Sequence, residues 1–211
     1  MKKAGNTTEY RKLLKNKILQ TAVQCFRERG IKAVTMSDIA VMLQISKRTL
    51  YEIYDNKEQL LREGLAKSFE EEHKAMANLG SNNASVMDVI IEFCRMRLKE
   101  LSRTSTQFYV DLQMYPEVIK LFEQQKHNKN EDTKAFFERG QEQGYFRKDV
   151  DYNIIVGITE NGMQRILEQG IYKRRNLRNI FKHTLLLFVR GLCTEKGIKE
   201  LDTFLDNYPN C

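Results

Sequence analysis

In the stretch ISKRTLYEIYDNKEQLL, Ile45 to Leu61, the side chains able to do chemistry are Lys47, Arg48, Thr49, Tyr51, Glu52 and Lys57. Lysine and arginine donate to guanine edges or phosphate oxygens, threonine and tyrosine hydroxyls suit phosphates, and a carboxylate can accept from cytosine N4. At 100° per residue, Leu50 and Tyr54 fall on one side of a helix with Ile53 beside them, and Arg48 and Glu52 fall opposite. Thr49 and Tyr51 flank the outer stripe, and Lys47 stands at its start. A short helix with this outer face suits the major groove.

The preceding residues supply the elements that would hold such a helix. Ile18, Leu19, Ala22, Cys25 and Phe26 recur at helical spacing, and Gly30 gives a left-handed stop, so helix one is expected from about Tyr10 to Arg29. Thr35 and Asp38 form a capping-box pattern before a short second helix whose Ile39, Ala40 and Leu43 face inward. Ser46 caps the third helix, expected to run to about Tyr54. Asn56 then caps a fourth, whose free amides and Lys57 make a site for a backbone phosphate. The segment reads as a helix-turn-helix followed by a phosphate clamp.

Charge points the same way. The formal net charge is +7; residues 1–57 hold 12 Lys/Arg against 5 Asp/Glu, whereas the remainder holds 23 against 23. All the excess sits in the first quarter, where nucleic acid is the natural partner. The 211 residues, 41% hydrophobic and 30% charged with two prolines, read as mostly helical. The longest apolar run is LLLFV, Leu185 to Val189, far short of the roughly 18 residues of a membrane span. The start has no apolar block after its basic residues, so no secretory signal is expected and the protein is placed in the cytoplasm, with no membrane partner. Cys25, Cys94, Cys193 and Cys211 form no CxxC pair and read as reduced, mostly buried thiols.

The residues Ile18-Leu19, Ala22, Phe26, Gly30, Thr35, Ile39-Ala40, Ser46, Thr49-Leu50-Tyr51, Tyr54, Lys57-Glu58 and Leu60-Leu61 together resemble the N-terminal domain of the TetR/AcrR family of transcriptional regulators. The resemblance implies an all-α homodimer, with a three-helix DNA-binding head and a larger helical body that binds a small effector and dimerises. It implies backbone contacts from Thr35, Tyr51 and Lys57 and groove contacts from Lys47, Arg48 and Thr49, on a palindromic double-stranded operator. Glu52 is added because it points with Arg48. Two positions depart from the family: Gln44 stands where the turn commonly has glycine, so modest strain is expected there, and Tyr54 replaces the usual phenylalanine and needs an outlet for its hydroxyl. The expected domains are 1–56, the helix-turn-helix, and 57–211, the effector-binding and dimerisation body.

In the body, helix four is expected to reach about Leu79, a fifth to follow from Val86, a short one near Phe108 to Leu112, and another to open at Pro116. Two long helices, about Tyr152 to Gln169 and Leu177 to Thr194, are apolar beyond a single stripe, through Ile154, Ile155, Ile158, Gly162 and Ile166 on one and Leu177, Phe181, Leu185, Phe188 and Leu192 on the other, with Leu186, Leu187 and Val189 widening the surface. They suit either an intrachain core or a four-helix interface with a second copy. Phe93, Met96, Phe108, Tyr109, Met114, Tyr115 and Phe122 form an aromatic and methionine-rich set that suits a lipophilic effector, and core packing explains them almost as well. Arg97 fits either an anionic effector or a surface salt bridge. No cofactor and no catalytic or metal residue is assigned: the ExxH of Glu70 and His73 is single where a di-iron bundle needs two, and no phosphate-binding glycine loop or nucleophile elbow occurs. The reading is a ligand-responsive repressor; a helical ligand carrier or scaffold without DNA binding, or a metal-dependent helical-bundle enzyme, are the alternatives.

Overall fold

The structure, a computed structural model, describes residues 3–81, 84–127, 130–171 and 175–207. Side chains at 3–8, 81, 122–133, 160, 163, 164, 167 and 168 also lie outside the described set, so the expected roles of Phe122 and Cys211 fall outside it. The elements are α1 (Lys3–Arg29), α2 (Met36–Met42), α3 (Lys47–Tyr51), α4 (Lys57–Ser81), α5 (Val86–Arg103), α6 (Thr106–Leu112), α7 (Pro116–His127), α8 (Asn130–Glu142), α9 (Tyr152–Glu168), α10 (Leu177–Thr184), a π-helical turn (Leu185–Val189), α11 (Arg190–Leu192) and α12 (Glu195–Asp206). Among the described residues the β pairing is an isolated bridge between Phe146 and Cys193. The fold is all-α.

The chain forms two compact units. The first joins Met1–Glu72 to Gln107–Gln124, and the second joins His73–Thr106 to Gln125–Cys211. These units do not part at the boundary expected after residue 56. Phe108, Leu112 and Val118 of α6 and α7 are buried in one core with Phe26, Ile39, Leu50, Leu60 and Leu61, so these two helices complete the head. The driving force is apolar burial, about 1.5–3 kcal/mol for each large side chain fully removed from water.

Local signals in the head act as the sequence predicts. Gly30 takes φ +89 at the end of α1, and its amide donates to Phe26 O at 2.9 Å. Thr35 and Asp38 form a full capping box on α2, and the Ser46 hydroxyl accepts from Thr49 N–H on α3. Asn56 Oδ1 accepts from Gln59 N–H at 2.8 Å at the start of α4. Two boundaries differ: α1 begins at Lys3, and α3 ends at Tyr51 with Glu52 as its C-cap, beyond which the Ile53 and Tyr54 amides both donate to Leu50 O.

The second unit is pinned by its own caps. Ser85 and Asp88 box the start of α5, Thr194 caps α12, and Arg139 donates to the carbonyls of Gly80 and Ala84 at 3.1 and 3.3 Å. Its core gathers Met87, Cys94, Leu98, Phe146, Leu185, Leu201 and Phe204, with Phe137 stacked on Tyr152 at 4.2 Å. Gly197 is required at the first turn of α12, since a Cβ there would meet Tyr145 O at 2.7 Å. The helix expected over Leu177 to Thr194 is interrupted by the π-helical turn and ends at Leu192. Leu185 is buried while Leu187, two residues on and on the opposite side, is 69% exposed. Ile154 and Ile158, one turn apart on α9, are 59% and 50% exposed.

Candidate nucleic-acid interface

α3 presents the predicted outer face. Leu50 is fully buried beneath it, whereas Lys47, Arg48, Tyr51 and Glu52 are exposed. The turn that aims α3 is a Schellman motif: Ile45 N–H donates to Ala40 O and Gln44 N–H to Val41 O, both at 3.0 Å. Gln44 occupies the left-handed position at φ 55, so a non-glycine side chain carries the strain the sequence suggests. Ser46 Oγ and Thr49 Oγ1 are 2.8 Å apart, which ties the half-buried Thr49 into the cap as well as the outer edge.

The exposed charges are arranged among themselves. Arg48 Nε donates to Glu52 Oε1 at 3.0 Å, with side chains 89% and 59% exposed. An exposed pair of this kind contributes about 0–1 kcal/mol, less than the roughly 1–3 kcal/mol of a bidentate base contact, so a guanine edge can displace Glu52 from Arg48. Lys47 Nζ lies 5.9 Å from the centre of the Tyr51 ring, which steadies two further exposed groups on the same edge.

Thr35 and Lys57 are placed differently from the simple expectation. The Thr35 hydroxyl donates to Asp38 Oδ2 at 2.8 Å and accepts from Asp38 N–H, while its own amide also donates to Asp38. These bonds from the backbone N–H and hydroxyl of Thr35 hold the Asp38 carboxyl below its usual range. Lys57 Nζ donates to Ile31 O at 2.9 Å and Val34 O at 3.1 Å, and burial pushes its pKa down against a smaller upward pull from Asp111. Two of its three protons are thus spent on the α1–α2 connection, and one remains for an external acceptor.

Asp111 was not foreseen. It is 1% exposed, and its carboxylate accepts from Lys32 N–H and Gln107 Nε2, both at 2.7 Å. The connection from Gly30 to Thr35 is therefore held from one side by Asp111 and from the other by Lys57, which fixes where α2 begins. The signal was a lone carboxylate in the apolar run FYVDLQMY, Phe108 to Tyr115. Tyr54 is fully buried, its hydroxyl has no hydrogen-bonding partner among the described residues, and burial pushes its pKa far up.

The effector candidates divide between the two units. Phe108 is buried in the core of the first, with Tyr109 and Tyr115 packed against it, while Met114 is exposed. Phe93 and Met96 belong to the second, where Phe93 lies 6.5 Å from Phe181. Arg97 pairs with Glu100 at 2.6 Å and stacks over Phe93, the salt-bridge alternative of the two expected for it. Among the described residues no helix is long and apolar enough to cross a membrane.

Residues 18–63 match the family described as bacterial regulatory proteins, tetR family. The biofilm operon icaADBC HTH-type negative transcriptional regulator IcaR of Staphylococcus epidermidis is 28% identical over 106 residues, covering 50% of this chain and 57% of that protein. Its Staphylococcus aureus counterpart is 28% identical over 105 residues, 49% and 56%. The chain thus spans little more than half the length of these curated relatives. A protein from Saccharomonospora viridis, crystallised with choline, shares the fold at TM-score 0.64 and 17% identity, covering 87% of this chain and 100% of that one. A TetR-family transcriptional regulator from Cytophaga hutchinsonii does so at 0.60 and 12%, covering 86% and 96%.

Proposed function

We propose that this chain, which belongs to the TetR family of transcriptional regulators, is a homodimeric repressor that binds a palindromic operator and is released by a small effector. The observation that carries the reading is α3, a capped helix with its apolar side buried and Lys47, Arg48, Tyr51 and Glu52 exposed together within the basic first quarter of the chain. Arg48 and Lys47 read base edges, Glu52 accepts from a cytosine amine or holds Arg48 until DNA replaces it, and Tyr51 donates to phosphate. Thr49 contributes at the groove edge. Lys57 gives its third proton to a phosphate, and Thr35 acts mainly by fixing α2. Negative regulation is supported by the name of the IcaR relatives. Dimerisation is supported by Ile154 and Ile158, exposed one turn apart on α9, and by the exposed Leu187 on the π-helical turn, apolar side chains that contact with a second copy would remove from water.

Release follows from α4, a single helix from the Lys57 anchor to Ser81. An effector that tilts it shifts α3 against its half-site, and a coupling of about 1–3 kcal/mol lowers operator affinity roughly 5- to 150-fold. Cytoplasmic location is part of the same reading. The test is fluorescence anisotropy on duplex DNA across a salt series. Tight binding with a steep linear fall of log affinity against log salt is expected. Absence of binding to duplex DNA at any salt concentration would favour the helical carrier reading.

A further inference from the structure

We propose that the cleft between α5 and α12 binds a small organic anion with an apolar body. Its volume is about 550 Å³, within the range of small-ligand sites. One wall is Ile91 and Arg95, a turn apart on α5; the other is a stripe along α12 that includes Lys199, Thr203 and Phe204. Ile91 and the buried Phe204 supply the apolar floor. The chemistry of the rim selects the ligand's charge.

Lys196 and Glu200 also border the cleft, but both are engaged. Lys196 Nζ donates to Gln143 O at 2.9 Å and sits 3.9 Å from the Tyr145 ring centre, and Glu200 Oε1 accepts from the Tyr145 hydroxyl at 2.9 Å. Arg95 lies 5.8 Å from the Phe204 ring centre and donates one edge to Glu92, leaving the rest of its guanidinium fork open. The Lys199 ammonium has no partner among the described residues. The cleft therefore offers an uncommitted ammonium and a half-used guanidinium above an aromatic floor. A cation is repelled there, a neutral apolar molecule leaves both donors unused, and an inorganic anion leaves the floor wet. A carboxylate on a flat ring uses all three. The claim rests on the second unit alone; only an effect of occupancy on DNA affinity would rest on the repressor reading.

The full chain is titrated by calorimetry with 2-naphthoate and with the neutral 2-naphthalenemethanol. The acid is expected to bind at least about tenfold more tightly than the alcohol. Lys199→Glu and Arg95→Gln should each weaken the acid about tenfold while leaving the alcohol unchanged, with folding checked by circular dichroism. Should Lys199→Glu fail to fold, Lys199→Gln replaces it, with a loss of about threefold expected. Equal affinity for acid and alcohol, no binding of either, or folded variants with unchanged affinity for the acid would overturn the proposal. Failure of the repressor reading is seen separately, as absent DNA binding with naphthoate binding intact.

Discussion

The head and the second unit each bury a core, and each leaves large apolar side chains exposed: Leu13 and Val41 at 63% and 75% in the head, Ile154 and Leu187 at 59% and 69% in the second unit. In the head, Phe26, Ile31, Ile39, Leu50, Tyr54, Leu60 and Leu61 are all fully buried, and most turns carry a side-chain cap. In the second unit, Ile154 and Ile158 stay at least half exposed one turn apart on α9, as does Leu187 on the π-helical turn. The whole charge excess lies in residues 1–57, while the rest of the chain is balanced. The useful contrast is between α3 and α9: α3 turns a charged face outward in the basic first quarter of the chain, which suits a polyanion, and α9 turns Ile154 and Ile158 outward one turn apart, which suits burial against another copy.

The largest expected effect breaks the second half of that contrast. Ile158→Glu should yield folded monomers by light scattering and lower operator affinity by about 100-fold or more, because two linked heads bind far better than one. A dimer that survives the substitution would move the interface elsewhere. Arg48→Ala tests the charged face: it should cost about 1–3 kcal/mol on the specific site and relax preference at one base pair per half-site, read by competition anisotropy.

Lys57→Ala sharpens the division between holding and reading. With Ile31 O and Val34 O left without their donor, chemical denaturation should show a loss of about 1–3 kcal/mol. The salt slope of DNA binding should also become shallower, by about one phosphate per subunit. Loss of stability with an unchanged slope would make Lys57 an internal strut alone. The smallest effect is expected at the turn: Gln44→Gly relieves the left-handed strain and should raise thermal stability by about 1 kcal/mol or less, with operator preference unchanged.

Much of the head was legible because its signals are local. A cap, a left-handed glycine and a helical stripe each lie within a few residues, so Thr35, Ser46, Gly30 and Leu50 could be placed from sequence. The same locality hid what binds at long range. Lys57 reads as an exposed cation in its own helix and reaches Ile31 and Val34 only after folding; Asp111 is 79 residues from the amide it accepts. In the same way, nothing near Phe108 or Val118 says that they join a core begun at Ile18. The π-helical turn over LLLFV has no sequence marker beyond bulk. The effector set was drawn from residue type alone, and type does not separate a buried Phe108 from an exposed Met114.

The most direct test of the central claim, that the outer face of α3 reads DNA from two linked heads, is sequencing of random duplex DNA selected by the purified protein and by its Arg48→Ala variant. The account predicts one palindromic motif, with half-sites about one helical turn (roughly 34–36 Å) or a multiple apart, and a variant motif relaxed at a symmetric pair of positions. Enrichment of no motif, or the same motif for both proteins, would contradict it.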